Sequence, residues 1–325
     1  MNGRIIAAAA LAIGILAPFT GIYTVFLMKA LCFALFACAF NLLLGFAGLL
    51  SFGHAAFFGL AAYVTAHGVK EWGLTPELGI LAGTAVAAVL GLGFGGLAIR
   101  RQGIYFAMIT LALSQMVYFF CLQAPFTHGE DGIQAVPRGY LFGFIDLMQP
   151  MNMYYTVLAI FVFGFAVIHR AVHSPFGQVL KAIRDNEQRA ISLGYRTERY
   201  KLAAFVLSAA LAGMAGSTKA LVFQLASLTD AHWHASGEVV LMTLLGGMGT
   251  IAGPAVGAFL VVAIQNYLAE SGAWVTIIQG VIFIIVVLSF RRGILGEVVG
   301  FVAKRKATPA AKPLEPRPAS AITGE

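Results

Sequence analysis

Apolar runs of about 17 to 25 residues recur from the N-terminal region to about residue 290. Each is long enough to cross the hydrocarbon core of a bilayer as a helix. Only helices can carry so many runs of this kind, because hydrocarbon offers no partner for exposed backbone N–H and C=O groups, and these are not the ten-residue alternating strands of a barrel. Hydrophobic residues make up 59% of the 325 and charged residues 11%, well below the charge of a soluble domain. The fold class expected is all-α, a polytopic bundle of about nine full spans. They are read at 5–20, 24–45, 51–68, 78–99, 103–122, 153–171, 201–222, 250–268 and 273–290, with a short segment at 237–247. Residues 1–303 then form one membrane domain, and 304–325, rich in Pro, Ala and Lys, reads as a disordered tail. The start resembles a signal peptide but lacks a convincing cleavage site, so a retained first helix is expected.

The formal charge of +7 does not point to nucleic acid, because the bases lie at the ends of apolar runs rather than along one face. Arg4, Arg100, Arg101, Arg170, the set from Lys181 to Lys201, Arg291, Arg292 and the tail mark cytoplasmic ends. The opposite loops carry Glu71, Glu77, Glu130, Asp131, Asp146 and Asp230, so 123–152 faces outward and both termini lie inside. That parity requires 237–247 to dip inward as a broken or re-entrant segment.

Two glycine-rich interruptions share a direction. The first reads Gly45-Phe-Ala-Gly48-Leu-Leu-Ser51-Phe-Gly53-His54, and the second contains Gly246, Gly247, Gly249, Gly253 and Pro254. Paired interruptions in two parts of a chain point to a transport path; close helix packing is the alternative. Polar residues at membrane depth are costly and therefore candidates for function: Asn41, Ser51, His54, Ser114, Gln115, Lys219, Glu238, Gln265 and Asn266. Asn41, Ser51 and His54 cluster at the first break, as path-lining groups or as interhelical bonds. Lys219, near a helix end, is expected to snorkel.

Several chemistries find no support. Gly91-Leu-Gly93-Phe-Gly95-Gly96 matches a dinucleotide fingerprint only formally, since it lies inside an apolar span, and packing glycines are the better account. There is no P-loop, no His-Glu-x-x-His and no Gly-x-Ser-x-Gly. His232-Trp-His234 lacks a third ligand nearby, so no metal site is expected. Cys32, Cys38 and Cys121 read as core thiols. No catalytic residue and no cofactor of this chain's own is expected, and any ATP energy must come from a partner.

The conspicuous hydrophilic segment is 172–201. Ser174 is placed to cap a helix with Pro175 in its first position. Phe176, Val179, Leu180, Ile183, Ala190 and Ile191 recur at helical spacing, with Gly194 expected to end the helix. Such an amphipathic helix could lie on anionic lipid or fill a partner's groove.

Five ordered stretches resemble the branched-chain amino acid ABC transporter permeases. They are Asn41-Leu-Leu-Leu-Gly45 through Gly59; Gly103-Ile-Tyr105 through Leu111; Ser174-Pro175-Phe176-Gly177 through Ala182, Arg184 and Glu187; Ala204-Phe205 through Gly216; and Ser236-Gly237-Glu238 through Gly246-Gly247, Gly249, Gly253 and Pro254. The likeness covers about 25–295 and looks like the longer, M-type permease. It implies a multi-pass protein of the bacterial inner membrane. The implied partners are a shorter H-type permease forming a heterodimer, two cytoplasmic ATPases holding ATP and Mg, and a periplasmic or lipid-tethered binding protein. It also implies that 174–194 contains the coupling helix, which favours a protein groove over lipid. Family members serve urea, short amides, other amino acids and aromatic acids, so the substrate stays open.

Overall fold

The computed structural model describes residues 12–268 and scattered positions between 274 and 297. The expected span 273–290 and the tail 304–325 fall largely or wholly outside the described residues, and the span 5–20 is described only from residue 12. The helices are α1 (Thr24–Asn41), α2 (His54–Lys70), α3 (Pro76–Ala98), α4 (Ile104–Gln123), α5 (Pro150–His173), α6 (Pro175–Asp185), α7 (Glu187–Ser192), α8 (Thr197–Phe223), α9 (Leu228–Ala231), α10 (Trp233–Gly246) and α11 (Gly253–Tyr267). Five segments among the described residues are long and apolar enough to span: Thr24–Ala47, Pro76–Ala98, Ile104–Gln123, Pro150–His173 and Thr197–Phe223.

Those five divide by position. The apolar windows of Thr24–Ala47 and Thr197–Phe223 are 89% and 83% buried, against 33 to 39% for the other three. Residues 24–47 and α8 are therefore the centre, and α3, α4 and α5 flank them with one apolar face left outward. A helix enclosed on all sides is apolar all round, which is why α1 carries Phe, Leu, Ala and Cys on every face. Small residues let the neighbours approach. Gly91 and Gly95 of α3 face α8, and a Cβ on Gly91 would lie 2.5 Å from that of Ala209. Gly93 and Gly96 meet nothing, so the run serves packing on one face only.

Contacts identify the two ends of the bundle. At the first end lie the α3–α4 turn, the break after α1, and α6 with α7, joined by Gln102 to Glu187 and by Arg184 to Gly45. At the second end, residues 124–149 fold over the top. Here β1 (Ile133–Gln134) pairs antiparallel with β4 (Leu225–Ala226), and β2 (Tyr140–Leu141) with β3 (Ile145–Asp146). Arg138 ties this loop down through the carbonyls of Leu221 and Val222. These four two-residue strands are the departure from a purely helical chain.

Helix α10 has 14 residues, about 21 Å of rise, short of a ~30 Å hydrocarbon core. It begins at Trp233 rather than at residue 237, because His232 accepts from the His234 amide and caps it. It returns through α11 across Gly246, Gly253 and Gly257, whose missing side chains let the two backbones touch; a Cβ on Gly257 would lie 2.7 Å from the Gly246 nitrogen.

Candidate functional site

The two breaks meet. After α1 the chain widens into a π-helical turn, Leu42–Ala47, ends it at Gly48 with φ +72°, and runs non-helically to α2. The span expected from residue 51 thus starts helical only at His54. The second break turns at Gly247 and Gly249, with φ of 120° and 77°, and Thr250 accepts the amide of Gly253, the first residue of α11, at 3.1 Å.

Asn41 joins them. Its Nδ2 donates to the Thr250 carbonyl at 2.8 Å and its Oδ1 accepts the Gly249 amide at 3.0 Å. Backbone groups freed by a break in an apolar bundle need such partners. Gly45 makes the approach possible, since a Cβ there would lie 2.7 Å from the Gly249 nitrogen.

Ser51, Gly53 and His54 build the restart of α2. Ser51 accepts the Gly53 amide at 3.1 Å, Thr110 of α4 accepts the Phe52 amide, and Ser236 of α10 accepts the Ala55 amide at 2.9 Å. His54 is fully buried, with Nε2 2.8 Å from Ser208 Oγ. Ser208 gives its own proton to the Ala39 carbonyl at 2.5 Å, so Nε2 is the donor. Phe40, Phe57 and Phe205 surround the ring. His54 thereby bonds α2 to α8 while the Ser51 bond stays within the turn, and Thr110, Ser208 and Ser236 are partners that hydropathy alone does not single out.

The hydrophilic segment docks on the same junction. Ser174 caps α6, accepting the Gly177 amide at 3.5 Å while donating to Ala171. Pro175 takes the first position. Gly177 lies at the corner with α5, where a Cβ would crowd the carbonyls of Ala171 and Val172. Leu180 and Ile183 bury one face, with Phe176 half-buried against Tyr200. The single helix expected to run to Gly194 is instead two. Asn186 breaks it with φ −159° and ψ 100°, and its Oδ1 accepts the Arg189 amide at 2.9 Å to start α7. An Asn side chain competes for backbone N–H groups in this way. Gly194, at φ +87°, follows the end of α7.

Arg184 reaches from α6 into the first break. Its Nη1 donates to the Gly45 carbonyl, and its stem crosses Gly48, where a Cβ would lie 2.7 Å from Arg184 Cγ. Glu187 is held by Lys201 at 2.6 Å to both oxygens and by Gln102 at 2.7 Å. Lys201 is buried at 2% exposure. Ala182, Ile191 and Leu193 face outward instead, the last 71% exposed.

Glu238 lies away from this junction. It is eight residues from Gly246 along α10, about 12 Å, and accepts from Gln265 at 3.1 Å. Pro254 sits buried in the first turn of α11. Lys219 does not snorkel: it is 8% exposed and pairs with Asp230 at 2.5 Å. Opposite charges flanking one helix end were the available signal. Among the described residues no group of His, Cys, Asp and Glu is arranged to hold a metal.

A family model described as "Branched-chain amino acid transport system / permease component" matches residues 22–287. The LivM high-affinity branched-chain amino acid permease of Escherichia coli K12 is 28% identical over 283 residues, covering 78% of this chain and 65% of LivM. Its Salmonella typhimurium counterpart is 27% identical over the same length. The ribose import permease RbsC of Bacillus subtilis is 28% identical over 196 residues, 55% of this chain and 58% of RbsC. The chain thus spans just under two thirds of the LivM relatives. No solved structure matches the chain.

Proposed function

The chain belongs to the permease family of branched-chain amino acid transport systems, and from that premise we propose that it is the M-type permease subunit of an ATP-driven importer of branched-chain or related hydrophobic amino acids. The first end of the bundle, rich in Arg and Lys, is the cytoplasmic one. Residues 124–149 then face outward, where a periplasmic or lipid-tethered binding protein delivers substrate. An H-type permease completes the membrane unit in the bacterial inner membrane, and two cytoplasmic ATPases hold the ATP and Mg. This chain itself performs no bond chemistry.

One observation carries the mechanism: Arg184 of α6 grips the first break while Asn41 bonds that break to the second. A displacement of α6 therefore reaches both interrupted helices. ATP binding closes the ATPases, whose surface receives the exposed apolar residues Ala182 of α6, Ile191 of α7 and Leu193 just after it. Outward and inward states then differ in which of these bonds they keep, and the nucleotide shifts the balance between them.

The likeness to RbsC favours a second reading, a sugar importer of the same construction. Co-purification and reconstitution separate the two. ATPase activity stimulated by a leucine-loaded binding protein supports the amino acid reading; stimulation only by a pentose-loaded protein overturns it. Substrate flux driven by an ion gradient with no ATPase present would overturn both.

A further inference from the structure

Toward the second end, the bundle carries four charges, Lys219, Asp230, Glu238 and Lys29. Lys219 and Asp230 neutralise each other, with Ser227 also donating to Asp230 Oδ2 at 3.2 Å. Glu238 is steadied by Gln265 of α11. Lys29, five residues after the start of α1, has no side-chain hydrogen bond or ion pair among the described residues; one turn before it, Phe26 meets Tyr267 of α11 at 6.3 Å, two residues from the Gln265 that holds Glu238. Lys29 and Glu238 are both half-buried. A half-buried ammonium on a spanning helix and a half-buried carboxylate on the short α10 beside it face water, protein or a ligand rather than lipid tails.

An apolar wall adjoins them. Phe26 lies one turn before Lys29 on the same side of α1, and its ring meets Phe259 of α11 at 6.2 Å, edge on. Phe259 is 37% exposed, leaving part of its surface uncovered. A cation and a carboxylate oxygen that are both without a bonded partner among the described residues, with an aromatic surface beside them, match a zwitterion bearing an apolar side chain.

We infer that Lys29 and Glu238 form a substrate subsite, Lys29 receiving the carboxylate and Glu238 the ammonium of an α-amino acid whose side chain lies on Phe259, which the buried Phe26 backs. Lys219 takes no part, because Asp230 already satisfies it. The inference rests on the amino acid reading above and adds that this chain, not the binding protein alone, reads both charges of the substrate.

The test uses the whole importer in nanodiscs, without binding protein, and radiolabelled leucine at equilibrium. Leucinamide, which lacks the anion, and 4-methylpentanoate, which lacks the cation, serve as competitors. The complex should bind leucine and be competed weakly by either analogue. K29M should weaken leucine by about tenfold or more, the worth of one charge-assisted bond, and remove the disadvantage of leucinamide. E238Q should do the same for 4-methylpentanoate. A merely structural role would lower all three ligands together, and that result overturns the subsite. So does leucine binding unchanged in both variants, or absent from a complex that imports leucine. Failure of the complex to import any amino acid with loaded binding protein instead overturns the functional reading.

Discussion

Asn41 holds Gly249 across 208 residues of sequence, its Oδ1 accepting the Gly249 amide at 3.0 Å while its Nδ2 donates to the neighbouring Thr250 carbonyl. The two helix breaks are thereby one structural unit.

Replacing Asn41 with Leu keeps the volume and removes both bonds. Two backbone groups of the second break lose their partner, at about 1 to 3 kcal/mol each. The expected outcome is a lower melting temperature of the purified complex together with loss of uptake. Unchanged melting and uptake in Asn41→Leu would refute the bridging role.

Arg184→Ala should leave the complex assembled and its ATPases active, because the side chain is 41% exposed and its loss exposes no buried charge. Uptake per ATP hydrolysed should fall severalfold, and loaded binding protein should no longer stimulate hydrolysis. Affinity of the binding protein for its own ligand stays as it was. Normal stimulation by loaded binding protein would remove Arg184 from the coupling path.

At Gly48 two effects add. A side chain at φ +72° is strained by about 1 to 2 kcal/mol, and its Cβ would meet Arg184 Cγ at 2.7 Å. Gly48→Val should insert in the membrane and fail to transport. Gly48→Ala should be milder, and adding Arg184→Ala should recover part of its lost stability, since only the contact and not the backbone strain is relieved. Melting curves of the single and double variants measure this directly.

Buried ion pairs make an asymmetric prediction. Lys201→Met leaves Glu187 with one fewer partner, and Glu187→Ala leaves Lys201, at 2% exposure, as an unpaired buried charge. Removing one partner of such a pair costs about 3 to 5 kcal/mol, whereas replacing both by apolar groups of similar size is near neutral. Lys219→Met and Asp230→Leu should behave alike, each single variant losing more stability than the double. A double variant as unstable as the sum of the singles would contradict the pairing.

Much of the local structure was legible because its causes lie within a few residues. Ser174 and Pro175 start a helix wherever they stand, and the glycines that stop α1 and α10 do so by tolerating positive φ. The split of the hydrophilic segment was less visible. Asn186 can sit in a helix or cap one, and its neighbours do not decide between the two.

What the sequence alone determined was the helical class, the positions of both breaks, the Ser174 cap and the likeness to a permease family, since apolar run length and motif order need no knowledge of neighbours. Only the tertiary structure decided that the breaks meet, that Arg184 reaches the first of them, that His54 is bonded to Ser208, and that Lys219 is paired rather than extended to the surface. The physical reason lies in the central helices. Residues 24–47 and α8 are enclosed by neighbours and carry apolar residues on all faces, with their few polar groups scattered among them, so no periodic stripe announces which face meets which neighbour. The partners of Asn41, Arg184 and His54 stand 139 to 209 residues away and are chosen by how the helices pack.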